Sequence, residues 1–232
     1  MISGPEYLAS PQKRLHDIVG AIALTAPALV AMPVSAGLAK RYCLPGQSPV
    51  IKQKRQGMNG QPFTIYKFRT MWETNQDRDV PQHSTVIDRR TDALGNTLRM
   101  IGADESAQLF NVVRGDMSVI GIRPMLPRAI RRIAATCPDR GLANEWLQAH
   151  HFGKPGIWGP GSSIAHMSMA RREQRPAEHQ MRADIDYVER ASLTHDTKLF
   201  AAMPLDIARL ALTAANYIRL HSEPEPTASS EV

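Results

Sequence analysis

The chain has 232 residues, 43% hydrophobic and 22% charged, which is ample for one packed domain and too apolar for a wholly disordered protein. Its 28 Lys and Arg against 22 Asp and Glu give a net charge of +6, with a pI near 9.6, so the partner to look for is anionic: nucleic acid, a membrane surface or a phosphorylated substrate. Cys43 and Cys137 form no CxxC or Cys/His grouping, so neither a disulfide framework nor a zinc site is indicated.

Residues 1–12 read as a flexible start. Residues 18–39, IVGAIALTAPALVAMPVSAGLA, carry no charge, with Lys13, Arg14 and Asp17 before them and Lys40 and Arg41 after. As a straight helix they cover about 33 Å, roughly a bilayer core. A cleaved signal fits poorly, because the run is long and starts late. Pro27 sits mid-run, where proline removes a backbone bond and kinks the axis. Both flanks are basic, whereas a span places its cations on one side. A re-entrant helix hairpin over 13–41, broken at Pro27, satisfies both facts. A spanning helix and the buried core helix of a soluble protein are the alternatives.

PVIKQKRQGMNGQPFTIYKFRTM (49–71) reads as a β-hairpin around a Gly-Asn-Gly-Pro turn. Alternation puts Lys67 and Arg69 on one face, a grip for phosphate or a solvated edge. Residues 73–98 look like polar loop. In IGADESAQLFNVVRGDMSVIGIRPML (101–126), Asp104 and Glu105 head an apolar run ended by Gly115. An Asp there is an ordinary helix cap, with Leu109, Phe110 and Val113 expected on the buried side. MLPRAIRRIAATC reads as a helix bearing Arg128, Arg131 and Arg132, and KPGIWGPGSS as a rigid loop. Asp184, Asp186 and Tyr187 precede a further short helix, and an apolar helix starts at Pro204. Residues 221–232 have the composition of a disordered tail. The expected fold is α/β mixed and helix-rich, with a small β-hairpin and interfacial amphipathic helices around a catalytic domain over 42–220. Few aromatic residues and no binding motif argue against nucleic acid as the partner.

Taken in order, KRLHDI with its proline-broken apolar helix, QKRQGMNGQPFTIYKFRTM, DRRTDALGNTLR, GADESAQLFNVVRGDMSVIGIRP, KPGIWG and DIDYV resemble the bacterial sugar transferases, the monotopic polyprenyl-phosphate phosphoglycosyl transferases. The resemblance implies transfer of a sugar 1-phosphate from a UDP-sugar to undecaprenyl (polyprenyl) phosphate, with release of UMP. The setting it implies is the cytoplasmic face of the bacterial inner membrane, at the start of exopolysaccharide or other surface-glycan synthesis. Membrane lipid and other glycan-assembly enzymes are the further partners. It makes Asp104 the nucleophile and Glu105 a ligand of Mg²⁺. Arg99, Lys67, Arg69 and Arg123 become phosphate-neutralising candidates, and Asp184 a late acidic binding position.

This chain departs from the family pattern at four places. Ala26 precedes Pro27 where the family has Ser, Ser106-Ala107 follow the dyad where it has Leu-Pro, and Ile122 replaces a Pro. After KPGIWG, the sequence PGSSIAH and an insertion replace the family's continuation. The altered loop over 160–183 raises the alternative of a catalytically inactive homologue that binds polyprenyl phosphate or a glycan-assembly partner.

Overall fold

The structure, a computed structural model, describes residues 3–72, 90–160 and 176–221. Helix α1 (Gly4–Leu8) opens the chain. Its N-cap Ser3 and Glu6 satisfy each other's backbone donors in a capping box, and Tyr7 and Leu8 are buried. The start of the chain is therefore folded onto the domain, contrary to the flexible segment expected over 1–12. Gly4 is required there: a Cβ would lie 2.0 Å from the Val188 carbonyl oxygen.

Helix α2 (Pro11–Ala39) begins at the N-cap Ser10 and runs on into a 3-10 turn, Lys40–Tyr42. The expected break at Pro27 is not a break in the element: helical backbone continues through Pro27 and Pro33. A proline deletes one hydrogen bond and bends an axis without forcing its neighbours out of helical φ/ψ. One stripe of α2 is buried along its length: Lys13, Asp17, Gly20, Ala21, Ala28, Ser35 and Ala39. Three- and four-residue steps place these on one face. The other side is apolar and exposed through Leu15, Val19, Ile22, Leu29, Val30 and Val34. Within Pro11–Tyr42 lies the one helix, among the described residues, that is long and apolar enough to cross a membrane.

Strands β1 (Val50–Gln56) and β2 (Pro62–Phe68) form the expected antiparallel hairpin, with Ile51 opposite Lys67. Asn59 (φ 55°) and Gly60 (φ 73°) make its turn in the left-handed region that these residue types tolerate. Helix α3 (Ala93–Met100), capped by Asp92, occupies the end of the stretch expected to be loop. A 3-10 turn, Ala103–Gln108, then leads into α4 (Leu109–Arg114), closed by Gly115 at φ 93°. The buried side of α4 is Leu109, Asn111 and Val112. Phe110 and Val113, expected inside, are 57% and 65% exposed. The 3-10 start rotates the following residues away from the facing that an unbroken α-helix would give.

Strand β3 (Ser118–Ile120) pairs in parallel with β4 (Gly156–Trp158), so the expected GIW loop holds a buried strand. This crossing needs glycine, since a Cβ on Gly156 would lie 2.1 Å from the Gly121 backbone nitrogen. Between these strands, α5 (Pro127–Thr136) and α6 (Arg140–Ala149) pack together, and α6 also packs on α7 (Pro176–Arg190). Arg128, Arg131 and Arg132 of α5 face outward, as expected. Asp184, Asp186 and Tyr187 lie within α7 and precede a further helix, which is long rather than short. Helix α8 (Leu193–His221) runs through Pro204 rather than starting there.

Two cores result. The larger gathers Ile65, Val112, Met117, Val119, Ile120 and Tyr187 under α2 and α8. The smaller gathers Met125, Ile130, Ile133, Leu142, Trp146 and Met181 between α5, α6 and α7. A buried polar knot ties the chain's ends to the first. Lys13 Nζ reaches Asp17 (2.9 Å), Asp196 (2.7 Å) and the Ile120 carbonyl (2.9 Å), while Tyr7 and Tyr187 donate to Asp196. The expected tail (from 222) and most of the altered loop (161–175) lie outside the described residues.

Candidate active site

The hairpin and the turn that carries Asp104 are locked together by Asn111. Its side chain, fully buried on α4, donates to the Thr64 carbonyl (2.7 Å) and accepts from the Tyr66 backbone N–H (3.2 Å). An amide matches both backbone groups of one strand at once, which no apolar side chain can do. That fixes β2 against the turn carrying Asp104 and brings Lys67 Nζ to 3.8 Å from Asp104 Oδ2.

Asp104 is not a cap. The turn starts at Gly102, in the left-handed region at φ 72°, and no side chain caps it. Asp104 is 2% exposed, and its Oδ1 is buried without a hydrogen-bond partner among the described residues. Burial pushes its carboxyl up to about 6, opposed by the positive charge of Lys67. Burial likewise lowers the Lys67 ammonium from its usual range.

Glu105 projects separately, because successive residues of a 3-10 turn point about 120° apart. Its carboxylate is gripped by Arg123, with Nη2 at 2.5 Å from Oε1 and Nη1 at 3.3 Å from Oε2. That fork holds the guanidinium firmly protonated. Arg99, in the last turn of α3, completes the charges acting on Asp104, and its guanidinium rests on the Met71 sulfur.

Lys67, Arg99, Asp104, Glu105 and Arg123 are thus brought together. Arg69 lies one residue beyond β2, half-buried, with its backbone N–H held by the Pro49 carbonyl (2.8 Å). Asp184 sits elsewhere, between α6 and α7, where its carboxylate accepts from Trp146 Nε1 (2.9 Å). Burial pushes that carboxyl up to about 7. Pro27 lies in mid-α2 and is exposed.

Arg55 was missed. It is buried on β1, its guanidinium donates to the Pro124 carbonyl (3.3 Å) and Gln53 (2.6 Å), and its charge is felt by Arg123 and Glu105. Its alternation with Gln53 and Ile51 was readable, but nothing in sequence says that the opposite side of the hairpin meets the Arg-Pro segment.

The arrangement is a buried carboxylate edged by cations, beside a second carboxylate whose two oxygens are both engaged by an Arg fork. No group of three or more His, Cys, Asp or Glu that could hold a metal occurs among the described residues. Mg²⁺ in phosphate chemistry commonly takes one or two carboxylates and completes its shell with substrate oxygens and water. Two adjacent carboxylates, one with an orphan buried oxygen, fit that pattern.

The site thus combines a hairpin, an acidic pair on a 3-10 turn and a helix long and apolar enough to cross a membrane. Residues 8–208 match the bacterial sugar transferase family, and the chain belongs to it. Among curated relatives, it is 33% identical over 84% of its length to the UDP-glucose:undecaprenyl-phosphate glucose-1-phosphate transferase of Caulobacter vibrioides, spanning 69% of that protein. It is 34% identical over 81% of its length to the protein of the same name in Escherichia coli K12, of which it spans 38%. It is also 32% identical to the uncharacterized sugar transferase EpsL of Bacillus subtilis, covering 82% of it.

Proposed function

We propose that this protein transfers a sugar 1-phosphate from a UDP-sugar to undecaprenyl phosphate, acting as a phosphoglycosyl transferase at the cytoplasmic face of the inner membrane, at the start of surface-glycan assembly. The observation that carries this is the Asp104 carboxylate, buried beside Lys67 with one oxygen unengaged. Family membership and the names of the relatives support the substrate classes.

An Asp104 oxygen attacks the β-phosphorus of the UDP-sugar. A P–O bond forms, the bond from that phosphorus to the bridging oxygen breaks, and UMP leaves with the electron pair. The phosphate oxygen of undecaprenyl phosphate then attacks the same phosphorus and releases Asp104, giving an undecaprenyl diphosphate sugar. Lys67 and Arg99 lower the repulsion between the anionic nucleophile and an anionic diphosphate, and Arg123 keeps Glu105 turned away from Asp104. Glu105 is the residue that would hold Mg²⁺, which when bound would supply charge neutralisation on phosphate oxygens. The apolar outer face of α2 gives the site its seat beside a lipid-borne acceptor.

The test is UMP release in detergent from a panel of UDP-sugars with Mg²⁺ and undecaprenyl phosphate. Wild type releases UMP, and Asp104→Asn lowers the rate by at least about a thousandfold, as loss of a covalent nucleophile does. Release by both proteins alike removes Asp104 from the mechanism. Binding of undecaprenyl phosphate without release from any donor marks an inactive homologue.

A further inference from the structure

Serine is a poor choice for the buried stripe of an apolar helix. A hydroxyl inside protein costs stability unless bonded, and in a helix its cheapest partner is the carbonyl four residues back. Thr25 of α2 does that, donating to Ala21 at 2.8 Å. Ser35 does not. It is 1% exposed, and its Oγ leaves the helix to donate to the Ala103 carbonyl at 3.1 Å. Ala103 directly precedes Asp104. The same carbonyl accepts a second hydroxyl, that of Ser106, at 2.8 Å.

Two side-chain donors, one from within the turn and one from a helix 68 residues upstream, thus converge on one backbone oxygen beside Asp104. The peptide plane they fix is the one between Ala103 and Asp104, and its orientation directs the Asp104 side chain. The turn needs such fixing. It follows Gly102, the residue type least able to hold its own backbone angles, and its first residue has no side-chain cap.

We propose that Ser35 and Ser106 are positioning residues for Asp104, clamping the Ala103 carbonyl so that the carboxylate stays aimed between Lys67 and the substrate. The clamp also joins the apolar helix α2 to the catalytic turn. This rests on the reading of Asp104 as the nucleophile, and the experiment separates the two.

Label the Asp carboxyl carbons with ¹³C and follow the titration of the Asp104 signal, identified as the one absent from Asp104→Asn. Compare wild type, Ser35→Ala, Ser106→Ala, the double variant and Thr25→Val, which removes a hydroxyl from the same helix away from the turn. In parallel, measure kcat and KM for UMP release from UDP-glucose with undecaprenyl phosphate. The titration midpoint is expected to move in both Ser variants and to hold in Thr25→Val. For Ser35→Ala, kcat falls about tenfold with KM within about twofold, as expected for a misaimed group rather than a lost binding contact. The double variant loses less than the product of the two single losses, because both act on one oxygen.

An Asp104 midpoint unchanged in Ser35→Ala overturns the clamp whether or not the protein uses UDP-glucose. An unchanged kcat in a wild type that turns over also overturns it. Absence of UMP release by wild type counts against the donor, and the midpoints still decide the clamp.

Discussion

As the proposed nucleophile, Asp104 carries two opposed demands, since burial raises its affinity for a proton while attack needs the proton gone. With its carboxyl near 6, the rate of UMP release is expected to climb as pH rises through about 6, and a kcat profile between pH 4.5 and 8 reads that limb directly. The same burial sets a stability cost of opposite sign. The native state holds this proton more tightly than the unfolded chain, whose carboxyl titrates near 3.8. Stability therefore falls as pH rises from there to about 6, by at most about 3 kcal/mol. Arg123 works through geometry as well as charge. Arg123→Lys keeps the cation but cannot fork onto both Glu105 oxygens, and we expect kcat/KM for the UDP-sugar to fall about tenfold to a hundredfold. The dyad and its cations were legible because Lys67, Arg99, Asp104 and Arg123 each lie in a motif that resembles the family's. Arg55 and Ser35 were not, because their significance lies in what faces them: the Pro124 and Ala103 carbonyls, which sequence does not disclose.

Among the elements, the hairpin was readable in full, since its alternation and turn chemistry are local. The β3–β4 pair was not, because a three-residue parallel strand has too little period to declare itself, and its partner is far along the chain. Of the expected inward face of α4, Leu109 is buried while Phe110 and Val113 are exposed, for a related reason: its 3-10 start shifts the phase, and the period alone cannot show a shift. The α6–α7 contact has a distinct pH signature. Asp184, raised to about 7, is ionised without a cation partner among the described residues at alkaline pH, where it accepts a hydrogen bond from the Trp146 indole. Stability should therefore fall as pH climbs from about 4 to about 7. Asp184→Asn keeps an acceptor for Trp146 and removes the charge, so its thermal unfolding midpoint should exceed that of wild type at pH 8 and match it near pH 4. The difference is up to about 4 kcal/mol, readable by calorimetry at the two pH values.

At the scale of the whole molecule, α2 divides the protein into a packed side and an outward apolar side. Val30, 70% exposed, makes no use of its side chain within the fold. Val30→Lys is therefore expected to leave the unfolding free energy within about 0.5 kcal/mol of wild type while weakening sedimentation with lipid vesicles roughly tenfold or more. Equal sedimentation of both proteins would place the lipid contact elsewhere. The polar knot that roots this helix has a consequence for how the molecule is made. Tyr7 waits 189 residues for Asp196. At about 5–20 residues per second, the interval is about 10–40 s. Through it Lys13 has Asp17 of its own helix as a partner and lacks Asp196. The Ile120 carbonyl, three residues ahead of Arg123, gains its Lys13 and Tyr187 donors in the same knot. A ribosome that stalls before Asp196 therefore leaves Lys13 without its Asp196 partner and the knot behind the Arg123 segment unfinished.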